Sequence, residues 1–320
     1  MKPLASVSID LDNLWSYMKI HGDAGWDAYP SYMEPLIEIV LAQFRAHDLK
    51  VTAFIVGQDA ALDKNRAAFQ SLVAAGHEVG NHSLSHEPWF HEYTDDQVTK
   101  EIAEAEEHIE RATGLRPRGF RGPGFSLTPH TLRVLAGRGY LFDASTFPTF
   151  LGPLARAFYF WNTRDMSEED RRKRRNLYGG AKEGLRPIRP YLWDVPGAAP
   201  LVELPVTTMP LARMPIHMSY ILYAAGRSRA LALGYLRAAL ELCRLTRVEP
   251  SFLLHPLDFL GKDKVAELAF FPGMNVDTGF KLDLFDSIVG ELASRFELCP
   301  MGVHVAALLD RGTLEKRQLS

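Results

Sequence analysis

Short apolar runs of strand length alternate along this chain with stretches whose apolar positions recur every three or four residues. Residues 5–10 read as a strand that delivers polar groups at its C-terminal end. Residues 34–47 follow with Leu36, Ile37, Val40, Leu41 and Phe44 spaced for one helix face. Strands are predicted again at 50–56, 77–81, 118–121 and 140–144, with helices at 67–75 and 129–136 between them. Thr94 with Gln97 has the form of a capping box, and Val98, Ile102, Ala105, Ile109 and Ala112 carry a helical stripe from there to Gly114. The second half continues with strands at 201–206, 251–254 and 296–299, and helices at 219–246, 282–294 and 303–309. About seven strands alternating with helices predict a parallel α/β fold, and polar residues at strand ends favour a barrel over an open sheet. Between about 147 and 200 the alternation breaks, and this stretch reads as an insertion in a single domain spanning 1–320.

Composition narrows the function classes. The formal charge of −3 carries neither the basic footprint of a nucleic-acid binder nor an acidic tail. Cys243 and Cys299 form no CxxC pair, which argues against a disulfide framework or a cysteine zinc site. No uncharged apolar run reaches the ~18 residues of a spanning helix, and the first residues do not read as a signal peptide, so a cytoplasmic location is expected.

Four segments carry candidate chemistry. In Asn81-His82-Ser83-Leu84-Ser85-His86 the two imidazoles stand four residues apart, on one side of a helical turn if the segment is helical, directly after a strand. They are a metal-ligand pair or two ordinary histidines of the eleven present. Asp10 and Asp12 share a face if the first strand continues, and such close carboxylates repel unless a cation or arginine intervenes. The alternative is an N-cap for the following segment. Arg118-Gly119-Phe120-Arg121-Gly122-Pro123-Gly124-Phe125 is a turn, or an arginine placed to pair with a catalytic carboxylate beside small residues that admit a ligand. His255, leaving an apolar strand after Leu254, is structural or, beside a metal, a general acid.

In this order the segments resemble the NodB-homology polysaccharide deacetylases, carbohydrate esterase family four. Residues 76–86 are similar to that family's metal motif, 121–125 to its arginine–proline–aromatic motif, 254–256 to its leucine–histidine motif, and Asp143-Ala144-Ser145 to the motif whose aspartate orients the catalytic histidine. The resemblance covers roughly residues 5–146 and 200–310. It implies a distorted (β/α)7-type barrel and hydrolysis of an N-acetyl or N-formyl group on an N-acylated sugar or glycan. It further implies a divalent metal on Asp12, His82 and His86, with zinc the first choice and cobalt, nickel or manganese also compatible. Asp10 is then the base, Arg121 its partner, His255 the acid steadied by Asp143, and Pro123, Phe125 and Leu254 line the substrate. A backbone N–H near Phe125 or Ser126 is expected at the oxyanion.

Leu11 separates two aspartates that are adjacent in many members, so the roles of Asp10 and Asp12 are open to exchange. The Asp-x-Asp form is similar to a branch with cytoplasmic peptidoglycan-deacetylase-like enzymes, lipid-linked aminoarabinose deformylases and deacetylase-like allantoinases. Glu203-Leu204-Pro205-Val206-Thr207 is similar to the same branch and points to an envelope or capsule intermediate. A ureide hydrolase and a non-catalytic glycan-binding barrel are the rival readings. The aromatic run 150–161 and basic run 171–175 fit either a lipid-linked substrate at a membrane surface or a solvated helix, barrel cover or subunit contact.

Overall fold

The fold was determined as a computed structural model, which describes residues 2–151 and 181–319. The aromatic run beyond Leu151 and the basic run at 171–175 lie outside the described residues. Strand β1 (Leu4–Leu11) lies between β2 (Thr52–Ile55) and β8 (Ser251–Leu254), with β9 (Glu297–Cys299) pairing on its first residues. From β2 the sheet runs through β3 (Glu78–Asn81), β4 (Gly119–Phe120), β5 (Phe142–Asp143) and β7 (Leu201–Glu203) to β6 (Tyr191–Asp194) and β10 (Lys316–Gln318). All pairings are parallel except β6 with β7, so the sheet is mixed where a purely parallel one was expected. The antiparallel strand comes from within 147–200, where hydrophobic spacing alone carries no strand direction. Beyond β7, the Thr207 N–H donates to Ser251 O at 3.1 Å, linking that segment to the start of β8.

β1 shows why the site forms where it does. Ala5, Val7, Ile9 and Leu11 enter the main core with Ile37, Val40 and Phe44 of helix α2 (Met33–Ala46). The alternate positions Ser6, Ser8 and Asp10 face the other way and are also buried. Here Ser6 meets His304, while Ser8 and Asp10 meet Arg121. A strand covered on both faces thus keeps one polar stripe and ends it at Asp10.

Helix α1 (Leu14–His21), which the periodicity did not predict, starts immediately after β1. Its cap is Asn13, whose Oδ1 accepts the Leu14 N–H at 2.8 Å and the Tyr32 N–H at 3.1 Å. Asp12 is therefore free of capping duty. Helix α3 (Gly57–Ala61) follows β2, and α4 (Asp63–Ala74) precedes β3. The expected capping box at Thr94 opens α5 (Asp95–Thr113), and Gly114 closes it at φ +76°. Helix α6 (Pro129–Gly137) precedes β5. The helix expected at 219–246 is two: α7 (Met218–Ala225) and α8 (Arg229–Leu245), parted at Gly226 because Ser228 caps a new start through Leu231 N–H. Helices α9 (Thr278–Arg295) and α10 (Met301–Arg311) follow before β10, and none of these helices is long and apolar enough to cross a membrane.

Asn13 is itself held by a buried acid. Asp59 Oδ1 accepts Asn13 Nδ2 at 2.6 Å and Trp15 Nε1 at 2.9 Å. Burial pushes the Asp59 carboxyl up from 3.8 to about 7 despite those donors. Because the folded value exceeds the unfolded one, the contribution is fully present below pH 3.8 and is lost as pH rises through 7. Metal-free wild type should therefore lose stability relative to Asp59→Asn between pH 4 and 8, by on the order of 4 kcal/mol. Urea midpoints at matched pH measure it, and a pH-independent difference would refute the assignment.

Candidate metal centre

Asp12, immediately after β1, lies opposite the loop that follows β3. Its Oδ1 is 2.9 Å from His86 Nε2 and 3.3 Å from His82 Nε2. All three side chains are buried, and one ligand atom from each falls within 4.8 Å of the others. Asp12 Oδ1 is buried without a hydrogen-bond partner. His82 Nδ1 lies 2.6 Å from Arg121 O, so the ring donates its proton there and its Nε2 lone pair faces Asp12. Lone pairs from one carboxylate and two imidazoles converge on one point, as a divalent cation requires. Burial opposes the charged form of Asp12, yet His86 and His82 hold its carboxyl well below the usual range. For His82 burial favours the neutral ring, and Asp10 and Asp12 outweigh it, moving the imidazole up.

The loop is not the helical turn that the four-residue spacing suggested. Ser83 and His86 have φ of +63° and +51°, so the rings converge through two left-handed backbone positions. Asn81 Oδ1 accepts the Ser83 N–H, and the Glu101 carboxylate on α5 accepts the Leu84 and Ser85 N–H groups at 2.9 Å each. Tyr17 OH donates to Asp12 Oδ2 at 3.3 Å and Tyr32 OH to Asp12 O at 2.5 Å. Glu101→Ala keeps a good helix former on α5 but leaves both loop N–H groups without their acceptor. Affinity for a divalent metal should fall ~10–100-fold, the usual cost of losing an outer support of a metal site. Competition against a chromogenic chelator reads this directly; an unchanged dissociation constant would mean that the loop holds itself.

Asp10 stands apart from the three converging side chains. Its Oδ1 accepts Arg121 Nη1 at 2.6 Å, and its Oδ2 lies 3.9 Å from both His82 Nε2 and His255 Nε2. Arg121 is fully buried. Its Nη1 also reaches Ser8 Oγ at 2.9 Å, its Nε donates to Ala144 O at 3.1 Å, and its guanidinium covers the Phe54 ring at 4.4 Å. Pro123 is buried in the turn after Arg121, and Phe125, at φ +60°, lies against Phe147 with ring centroids 4.9 Å apart. Leu254, expected against the substrate, instead pairs in register with Ile9 and is fully buried with it in the main core, because alternation turns it to the face away from Asp10. Gly122 has no room for a Cβ, which would stand 2.0 Å from Ser126 O.

Two expectations meet different geometry. The Phe125 and Ser126 N–H groups donate to Gly122 O and Pro123 O at 3.0 and 3.1 Å, so the tight turn consumes both and leaves neither for an oxyanion. Asp143 accepts the Ser145 N–H and hydroxyl, and Ser145 Oγ in turn accepts the Gly122 N–H. Asp143 thus ties down the turn after Arg121 and pairs with buried Glu203, whose carboxyl burial and the Asp143 charge push well above its usual value.

Next to His255 stands Asp258, which sequence reasoning missed although the His255-Pro256-Leu257-Asp258 spacing has the form of a cap. Also missed was His217, preceding α7, with its ring 6.0 Å from that of His255 and 5.3 Å from Phe147. Its Nδ1 is buried without a partner, and burial, with His255 and Arg121 nearby, holds the ring well below the usual imidazole range.

A family model described as polysaccharide deacetylase matches residues 23–142, a span that contains His82, His86 and Arg121. A candidate polysaccharide deacetylase from Mycobacterium smegmatis has a similar fold, with a TM-score of 0.64 at 18% identity, covering 100% of this chain and 95% of that one. The Xyl-CE4 domain of a multidomain xylanase from the hindgut metagenome of Trinervitermes trinervoides aligns over 100% of this chain and 98% of its own at a TM-score of 0.48 and 11% identity. An uncharacterized protein of Bacillus subtilis, YlxY, is 27% identical over 105 residues, which is 33% of this chain and 31% of that protein. The match therefore spans about a third of that curated relative's length. The chain is thus similar to the polysaccharide deacetylases in sequence over residues 23–142 and to the Mycobacterium smegmatis protein in fold over its whole length.

Proposed function

We propose that this protein is a metal-dependent amidohydrolase that removes a small acyl group, acetyl or formyl, from an N-acylated sugar. One observation carries the reading: three ligands converge at Asp12, while a second carboxylate, Asp10, is held apart by Arg121 with His255 facing its free oxygen. Bound there, a divalent metal, zinc first, supplies Lewis acidity toward the amide carbonyl and a water acidified for attack.

The chain's own groups perform the rest. Asp10 Oδ2, on the side away from Arg121, takes the proton of the attacking water. His255, protonated at Nε2, delivers a proton to the departing nitrogen, without which an amine is a poor leaving group. Arg121 fixes Asp10 from behind, so the base does not swing toward the metal ligands. Pro123, Phe125 and Phe147 offer an apolar wall that keeps bulk water from the reacting amide.

The proposal extends to one domain over 1–320 with the insertion at about 147–200, to a cytoplasmic location, and to an envelope or capsule sugar intermediate as substrate. Support for these comes from the sequence likenesses alone. Zinc-loaded protein on a panel of N-acetyl and N-formyl sugar conjugates, with acetate or formate release measured, tests the function. Hydrolysis of one class is expected; no release from the panel, with hydrolysis of a ureide, would replace this reading.

A further inference from the structure

His255 presents Nε2 to Asp10, and the opposite edge of the ring faces a built network. Ser219, on α7, lies with Oγ 3.4 Å from His255 Nδ1 and donates its hydroxyl to Asp258 Oδ1 at 2.8 Å. With the Ser219 proton committed to Asp258, the serine oxygen can only accept from the ring. Asp258 Oδ2 accepts the His255 backbone N–H at 2.7 Å and lies 3.9 Å from Nδ1. Asp258 is 1% exposed, which makes an anion there costly unless it is partnered.

The turn carrying it is clamped from beneath. Lys281 on α9 is fully buried and donates through Nζ to Leu257 O at 2.6 Å and Leu260 O at 2.7 Å. It places a positive charge near Asp258 and ties the two ends of the turn together. A buried lysine, a buried aspartate and a serine from another helix are more than a three-residue turn needs for its own stability.

From this geometry we infer that Asp258, acting with Ser219, is the positioning residue for His255, holding the Nδ1–H so that Nε2 delivers its proton to the leaving group. This rests on the reading of His255 as proton donor. Asp143, which binds Ser145 and the Gly122 turn, is left with a different task.

The test separates proton delivery from folding through the leaving group. An amide needs its nitrogen protonated, whereas 4-nitrophenolate leaves unaided. With zinc-loaded enzyme, Asp258→Asn should lower the ratio of turnover on the preferred N-acyl sugar to that on 4-nitrophenyl acetate about 10–100-fold, with KM little changed. Asp258→Glu should restore part of it, and Ser219→Ala should give a smaller loss. If His255→Gln lowers that ratio and Asp258→Asn does not, this inference fails and the proton-donor reading stands. If His255→Gln leaves the ratio unchanged, the proton-donor reading fails and takes the inference with it.

Ring 15N shifts of His255, assigned by their loss in His255→Gln, read the tautomer without any substrate. The neutral ring should carry its proton on Nδ1 in wild type and shift toward Nε2 in Asp258→Asn. An Nε2–H tautomer in wild type would overturn the inference.

Discussion

Asp10→Asn should abolish turnover while leaving the metal in place, whereas Asp12→Asn should lose turnover by losing the metal. Asparagine at 10 preserves the shape of the side chain, and its amide oxygen can still accept from Arg121 Nη1, now 2.6 Å from Asp10 Oδ1. What it loses is the capacity to take a proton from water, worth about 10²–10⁴-fold in rate for a positioned base. Asparagine at 12 instead removes the anionic ligand facing His86 at 2.9 Å and His82 at 3.3 Å. Its metal affinity should drop by well over the ~10–100-fold that an outer support costs. Thermal melts with and without zinc read this apart from activity, because a ligand that binds only the folded state raises its stability by mass action. Zinc should raise the melting temperature of wild type and Asp10→Asn alike and leave Asp12→Asn unmoved. The opposite pattern would establish that the two aspartates have exchanged roles, the ambiguity that Leu11 between them creates.

The legible part of this molecule is the part written in short segments. Alternating apolar runs and helical stripes place most of the strands and the helices α2, α5 and α10, because burial on one face repeats at the period of each element. Thr94 and Gln97 announce their helix through a pairing three residues long. His82, Arg121 and His255 are visible for the same reason, each sitting directly after a strand, and His86 shares the short motif of His82.

What was not legible depends on backbone conformation or distant partners. The four-residue spacing of the histidines suggested a helical turn, yet Ser83 and His86 are left-handed, a state seldom signalled by a residue other than glycine. The 3-10 turn after Arg121 consumes the N–H groups expected at an oxyanion, and Gly124 and Phe125 adopt positive φ to close it. Tyr17, Glu101, His217 and Ser219 come to the site from helices or from a residue just before one, where apolar spacing reports the buried face but not which polar residue crosses it. Asp258 is the exception. Its cap-like spacing after His255 is plain in the sequence, but the likeness of Asp143 to the family's orienting aspartate gave that role to another residue.

Arg121→Met should be the most destabilising single change at the site. The guanidinium is fully buried, contacts Ser8, Asp10 and Ala144, and lies over the face of Phe54. Methionine fills much of the same space but leaves the Asp10 carboxylate, 3% exposed, with no counter-charge behind it. Removing one partner of a buried ion pair costs about 3–5 kcal/mol, mostly through the charge left behind. The test is a double-mutant cycle in metal-free protein, where the metal cannot mask the loss. Asp10→Asn in the Arg121→Met background removes the orphaned charge and should recover a large share of the lost stability, although in the wild-type background it destabilises. A urea midpoint for the double variant no better than that of Arg121→Met would mean that the arginine stabilises through Ala144 and Phe54 rather than through Asp10. Activity should not return with stability, because the rescued protein lacks both the proposed base and the group that aims it.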